Sequence, residues 1–154
     1  MFYSELQIAS NLDKLVDVEH FIINLMDNFC INEDYLGIIT TPLIEAVNNA
    51  IVHGNKSEPS KKVTITCQLS NKDITFSVAD EGKGFDYEKY ISEKVENTTT
   101  NGLSIIKLLT NDIQFFENGS TISYTLQIPF QIQKERDSIT STINKSTEQI
   151  KNVM

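Results

Sequence analysis

Glu45-Ala-Val-Asn-Asn-Ala-Ile-Val-His-Gly-Asn55 and Asp80-Glu-Gly-Lys-Gly-Phe85 are the two stretches on which the reading of this chain turns. On a helix, Glu45, Asn49 and His53 fall at i, i+4 and i+8 and share one face. That face carries a carboxylate, an amide and an imidazole beside a glycine turn. An ionised carboxylate can activate a hydroxyl or a water, and an amide oxygen is a hard ligand suited to magnesium. The second stretch places an acid and two glycines where a β-strand should end. Together the two imply a nucleotide site.

The surrounding sequence predicts the elements that carry these stretches. Tyr3 to Ile8 alternates as a short strand at a sheet edge. Asn11 has the character of an N-cap with Asp13 in the first turn, and Leu12, Leu15, Val16, Ile22, Ile23, Met26 and Phe29 follow helical spacing to about residue 29. A second helical pattern starts at Asn32 or Glu33 and runs to His53, where Gly54-Asn55 supplies a stop. Pro42 lies inside it, so either the helix kinks there or Thr41 caps a fresh helix. After a polar loop around Pro59, Val63 to Leu69 and Ile74 to Ala79 alternate as a hairpin turning at Asn71-Lys-Asp73. Residues 85 to 101 form a long connection with a short turn at 86 to 91, of a length that is usually functional or mobile. Gly102 to Thr110 reads as a short helix with Leu103, Ile106 and either Leu109 or Leu108 inward. Ile113 to Glu117 and Thr121 to Ile128 form a last hairpin around Asn118-Gly119. This order predicts an α+β domain over residues 1–130. It is a two-layer α/β sandwich of a mostly antiparallel sheet with helices on one face. Residues 131–154 are polar, with isoleucines too sparse for a strong buried face, and read as a frayed helix or a disordered tail.

Composition narrows the function classes. A length of 154 residues suits one domain with a full core, and 40% apolar with 22% charged residues is that of an ordinary soluble globular protein. Lys and Arg total 13 against 21 Asp and Glu, a net charge of −8. That balance argues against direct nucleic-acid binding or a membrane-surface role and suits a nucleotide or a basic protein surface. Cys30 and Cys67 sit in apolar surroundings without CxxC spacing and read as two reduced core residues. The start of the chain lacks a signal-peptide pattern, and no segment approaches the roughly 20 apolar residues of a membrane span. A cytoplasmic location is expected.

The motifs E-A-V-N-N-A-I-x-H-G and D-E-G-x-G-F resemble the N box and first glycine box of the GHKL, or Bergerat-fold, ATPases. Within that superfamily the chain is most similar to the bacterial anti-sigma-factor serine kinases of partner-switching systems, over residues 3 to 128. Either motif alone would be weak; two motifs, their separation and a Gly119-Ser-Thr hairpin are specific together.

The resemblance implies roles residue by residue. Glu45 matches the catalytic carboxylate that takes the proton of the attacking hydroxyl or water, although most helical Glu residues are simply solvated. Asn49 matches the side chain whose oxygen holds magnesium across the phosphates; Asn48 is adjacent but faces about 100° away. His53 would line the phosphate side, or else serve only as a residue favoured at a helix end. His20 has no such context and reads as structural. Asp80 matches the acid that accepts from the adenine amino group, with Gly82 and Gly84 letting the backbone pass close to the base; a plain turn is the bland reading of D-x-G-x-G. Ser120 and its neighbour Thr121 stand where the family has a hydroxyl near the adenine, or are solvated hairpin residues. The second glycine box departs from the pattern. Thr100-Asn101-Gly102-Leu103 keeps one glycine, though free N–H groups at Gly102, Leu103 and Ser104 can still bind phosphate. The connection also lacks arginine, leaving Lys83, Lys89 and Lys94 to approach a γ-phosphate.

The expected ligands are therefore ATP or ADP with Mg2+. The expected activity is that of a serine/threonine protein kinase acting on a small anti-anti-sigma-type partner and sequestering a sigma factor or similar regulator. A homodimer through the N-terminal strand and first helix is compatible with this, because an exposed edge strand is a physical route to it. The reading from a different class is a nucleotide-dependent binding module with negligible turnover, favoured by the altered glycine box and the arginine-free connection. A two-component histidine kinase would need a dimerisation helix bearing a phospho-acceptor His, and gyrase-type ATPases a transducer domain; neither pattern is in this sequence.

Overall fold

A computed structural model describes residues 1–70, 72–84 and 102–129, without the side chains of 102 and 103. The expectations for the connection 85–101, including Lys89 and Lys94, and for the tail 131–154 lie outside the described residues. Five strands form one sheet: β1 (Phe2–Ala9), β2 (Lys62–Ser70), β3 (Asp73–Asp80), β4 (Asn111–Phe116) and β5 (Thr121–Gln127). Their spatial order is β1-β2-β3-β5-β4, with every neighbouring pair antiparallel. Three helices, α1 (Leu15–Asn28), α2 (Leu36–Asn49) and α3 (Gly102–Leu109), complete the described fold. This is the expected α+β sandwich.

Strand alternation explains the two faces of the sheet. Val63, Ile65, Cys67 and Leu69 of β2, Ile74, Phe76 and Val78 of β3, and Tyr124 and Leu126 of β5 all point into the core. Between them Thr64, Thr66, Thr75, Ser77, Ser123 and Thr125 point the other way. On that side Thr75 and Thr125 hydroxyls lie 3.0 Å apart, and the Ser77 hydroxyl donates to Ser123 at 2.9 Å. Cross-strand hydroxyl pairs of this kind satisfy the polar face without help from the core. The helices cover the apolar face: α1 buries Val18, Ile22, Leu25 and Met26, and α2 buries Ile39, Pro42, Leu43, Ala46 and Val47. From α3, Ile106 is fully buried while Leu108 is 83% exposed, so of the two alternatives Leu109 is the inner residue.

Local signals account for the helix ends. The Asn11 side chain accepts from the Asp13 N–H at 3.0 Å, and Asn32 accepts from Asp34 at 2.9 Å, each opening a short 3-10 turn that leads into α1 or α2. Pro42 sits inside a continuous α2, so no fresh helix begins at Thr41. The run Glu33–Gly54 is 22 residues long with hydropathy 1.2, which meets the length and composition of a membrane span and corrects the expectation that no segment does. Its apolarity has another cause here: the residues that raise it, Ile39, Leu43, Val47 and Ile51, are fully buried in the core.

Cys30 is a second correction. It is exposed rather than buried, with φ at 49°. The end of α1 needs a left-handed residue to reverse the chain, and Cys30 occupies that position. Its neighbours Phe29 and Ile31 then turn inward in its place, with Ile31 N–H donating to Met26 O at 3.0 Å. Cys67 is buried as expected, and burial pushes its thiol up to about 12. Titration of the native protein with a thiol reagent should therefore modify Cys30 alone, with Cys67 reacting only in denaturant. Fast reaction of both native thiols would contradict this packing.

Candidate nucleotide site

The site forms where the end of α2 meets the end of β3. After Asn49 the helix widens into a π-helical turn, Ala50–Gly54, in which Asn55 N–H donates to Ala50 O at 2.8 Å. The helix ends at Gly54 with Asn55 as its C-cap, as expected, but neither is the left-handed residue. It is Lys56 and Ser57 that adopt left-handed φ values of 56°, with Ser57 N–H donating to Ile51 O at 2.8 Å. Gly54 answers a different demand. A Cβ there would stand 2.2 Å from the Asp80 carboxylate. A Cβ on Gly82 would in turn stand 2.2 Å from Gly54 O. The helix end and the first glycine box are thus in backbone contact, which only glycine allows. Gly84 adds a turn at φ +77° against the Asn118 backbone, tying the same segment to the β4–β5 connection.

Asp80 is the last residue of β3 and is half-buried. Its Oδ1 accepts from Gly82 N–H at 2.8 Å. Burial raises its carboxyl above the ordinary range; the Gly82 hydrogen bond and the charges of Lys61 and Lys56 oppose that rise without cancelling it. The Asp80 N–H donates to Ser120 O at 2.9 Å, which draws the start of β5 beside it. Asn49 and Ala46 of α2, with Ala50 of the π turn, form one wall of a cleft over Asp80. Val78 and Ile122 supply an apolar floor, and Phe115, Gly119 and Ser120 close the opposite side. The arrangement is a narrow apolar slot with a carboxylate at one end and an amide on the wall, which suits a flat heterocycle with a hydrogen-bond donor.

The predicted residues fall into three groups. Asn49, Asp80 and Ser120 are brought together around the cleft, and Gly82 and Gly84 shape its approach. Ser120 is buried, but its hydroxyl already donates to Glu117 O at 3.0 Å, so only its lone pairs remain for a ligand or a water. Glu45, His53 and Thr121 are outside the cleft lining: Glu45 is half-buried one turn before Asn49, His53 is exposed on the π turn, and Thr121 is half-buried at the start of β5. Gly102 begins α3, as phosphate binding at free N–H groups requires, and among the described residues none of α3 lines the cleft.

Sequence reasoning missed the apolar lining and Asn55. Phe115 and Ile122 are strand residues whose side chains reach the cleft only because β5 inserts between β3 and β4. Asn55 is fully buried and hydrogen-bonded on both sides of its amide, to Lys62 O at 2.9 Å and from Glu81 N–H at 2.8 Å. Nothing in the sequence marks it, because an Asn after a glycine at a helix end reads as a stop signal.

Comparison with known proteins agrees with this geometry. Residues 8–126 match the family described as Histidine kinase-like ATPase domain. The chain is 32% identical over 104 residues to an anti-sigma F factor of Oceanobacillus iheyensis, covering 62% of this chain and 71% of that protein. It is 41% identical over 46 residues to an anti-sigma F factor of Shouchella clausii, covering 30% of this chain and 32% of that one. Among solved structures, the RsbU and RsbW domains of Rv1364c from Mycobacterium tuberculosis superpose over 84% of the chain with a TM-score of 0.59 at 14% identity. The chain spans 33% of that longer structure, and the likeness shows the shared fold. The N box at the end of α2, the glycine contact with Asp80 and a match over most of the chain lead to one assignment: the chain belongs to the GHKL, or histidine kinase-like, ATPase family and is similar within it to bacterial anti-sigma F factors.

Proposed function

We propose that this protein is an ATP-dependent anti-sigma factor that phosphorylates a serine or threonine of a small anti-anti-sigma-type partner and holds a sigma factor or similar regulator. The observation that carries the reading is the meeting of Asn49 and Asp80 in one apolar cleft, from two motifs far apart in sequence. The Asp80 carboxylate would accept from an adenine amino group, a preference that a keto group at the same position cannot satisfy. The apolar floor of Val78 and Ile122 would take the ring face.

Magnesium fits the donors present. Among the described residues no group of three or more His, Cys, Asp or Glu is gathered to hold a metal. A small hard cation that keeps its waters needs only one or two protein oxygens plus phosphate, and the Asn49 amide is such an oxygen. When bound it would neutralise phosphate charge. Glu45, one turn before Asn49, is the proposed general base. It would accept the proton of the partner's hydroxyl as that oxygen bonds to the γ-phosphorus and the bond to the departing ADP oxygen breaks. Gly102, Leu103 and Ser104 would offer N–H groups to the phosphates, and His53 would line the phosphate side. The protein partners, a homodimer through the β1 edge and α1, and a cytoplasmic location complete the proposal; a membrane and nucleic acid have no part in it.

A second reading is favoured by the sequence after the first glycine box: the second glycine box retains only Gly102, and the connection before it carries no arginine. On that reading ATP sets partner affinity and little phosphate moves. Glu45→Ala decides between them. Under the kinase reading the variant loses transfer of labelled phosphate to the partner by about 100-fold or more while ATP binding stays close to wild type. Equal loss of binding and transfer would remove Glu45 as the base, and an absence of transfer in the wild-type protein would favour the binding module.

Asp80 gives a prediction of a different kind. Its folded-state pKa lies above the ordinary 3.8, so its favourable contribution to stability is present below that value and is lost as pH rises through the folded value. Asp80→Asn keeps an oxygen for Gly82 N–H and removes the buried charge. Thermal melts of the nucleotide-free variant should show less decline across the acidic range, with a neutral-pH melting temperature at or above wild type. Calorimetry should meanwhile show ATP binding weakened by about ten-fold or more. A variant that melts well below wild type at neutral pH would refute the account of Asp80 as a strained functional acid.

A further inference from the structure

Asn55 lies one residue past the N box and carries none of the roles considered so far. Its side chain is fully buried. Nδ2 donates to Lys62 O at 2.9 Å, and Oδ1 accepts from Glu81 N–H at 2.8 Å. The Glu81 carboxylate accepts from Lys62 N–H and so completes a closed ring of three residues. The ring is placed at the last rung of the β2–β3 ladder, where backbone pairing ends at Val63 opposite Asp80. Lys62 precedes Val63 and Glu81 follows Asp80. Their main-chain groups would be the next to pair, and instead they are bridged by one buried amide and one carboxylate.

We propose that Asn55 is a positioning residue for base selection, acting through Glu81 to fix where the Asp80 carboxylate stands in the cleft. Two of the three bonds run through Asn55 and tie the two strand ends to the turn that carries Gly54, whose missing Cβ makes room for the same carboxylate. The third bridges Lys62 and Glu81 directly. A carboxylate discriminates an amino from a keto group only if its oxygens are held at the donor position, and displacement by about 1 Å is enough to lose the benefit. Removing the amide would leave the Lys62 carbonyl and the Glu81 N–H without their partners at a part-buried strand end, and the strand end would shift to find others. The inference rests on the nucleotide reading of the cleft and adds to it the residue that keeps the cleft selective.

The test uses ATP and inosine triphosphate, which differ at the 6-amino and 6-keto groups, titrated calorimetrically into the full chain. The wild-type protein should prefer ATP by about ten-fold or more, the size of one well-placed hydrogen bond to a charged acceptor. Asn55→Ala should shrink that preference about five-fold, chiefly by weakening ATP. Glu81 is exposed, so Glu81→Ala provides a variant whose folding does not depend on a buried site. It should shrink the preference in the same direction, while Glu81→Gln, which keeps an oxygen for Lys62 N–H, recovers it. Loss of stability without a change in the ATP to inosine triphosphate ratio would overturn the proposal, as would identical ratios for Glu81→Ala and Glu81→Gln. A wild-type protein that binds neither nucleotide would sink the nucleotide reading itself and this inference with it; a selective wild type with selective variants would sink the inference alone.

Discussion

The described fold depends on the seating of α2 against the sheet. Ile39, Leu43, Val47 and Ile51 are fully buried, as are Val63, Ile65, Ile74 and Phe76 on the strands beneath. Each such side chain contributes about 1.5–3 kcal/mol relative to exposure, so rotating the helix would forfeit several of them together. This leaves α2 little choice of phase. With the apolar stripe down, Ala46, Asn49 and Ala50 are left on the flank that overlooks the end of β3. The site is built on a rigid element, and its geometry is set by packing that has no chemistry of its own.

A second constraint follows from the first. Once α2 is seated, its final turn descends onto the residues after β3, and the two backbones meet closely enough that neither Gly54 nor Gly82 has room for a side chain. The insertion of β5 between β3 and β4 brings Ser120 and Ile122 to the same point from the other side. Three chain segments thus converge on Asp80. The convergence has an energetic consequence, since burial raises the carboxyl of Asp80 while only a backbone N–H and two lysines oppose the rise. A half-buried acid in a slot of alanine, valine and isoleucine is a poor choice for stability alone and a sensible one for recognising a donor. The ring through Asn55 belongs to the same corner, because it pairs polar groups that the convergence partly covers.

Much of this was legible in the chain, for identifiable reasons. Period-two alternation in Val63 to Leu69 and Ile74 to Ala79 marks strands with one buried face, and the observed burial follows it residue by residue. Asn11 and Asn32 announce their helices because a side-chain oxygen there meets a free N–H locally, within two residues. The readings that failed or stayed incomplete turned on backbone reversal and on partners distant in sequence. Cys30 was assigned to the core from apolar neighbours, but the need for a left-handed residue at the end of α1 turned it outward. Gly54-Asn55 does end the helix, but the need for glycine there comes from a carboxylate arriving from another strand.

By itself, then, the sequence determined the elements, their order, the two-layer α+β class and the family, since these rest on local periodicity, capping and two contiguous motifs. Only the tertiary structure decided which members of those motifs share a cleft. Asn49 and Asp80 line one cleft because side-chain phase at the end of α2 is set by packing against the sheet. The tertiary structure alone also revealed Asn55. Its two hydrogen bonds go to residues that become neighbours only when β2 and β3 have paired and the helix has come down upon them.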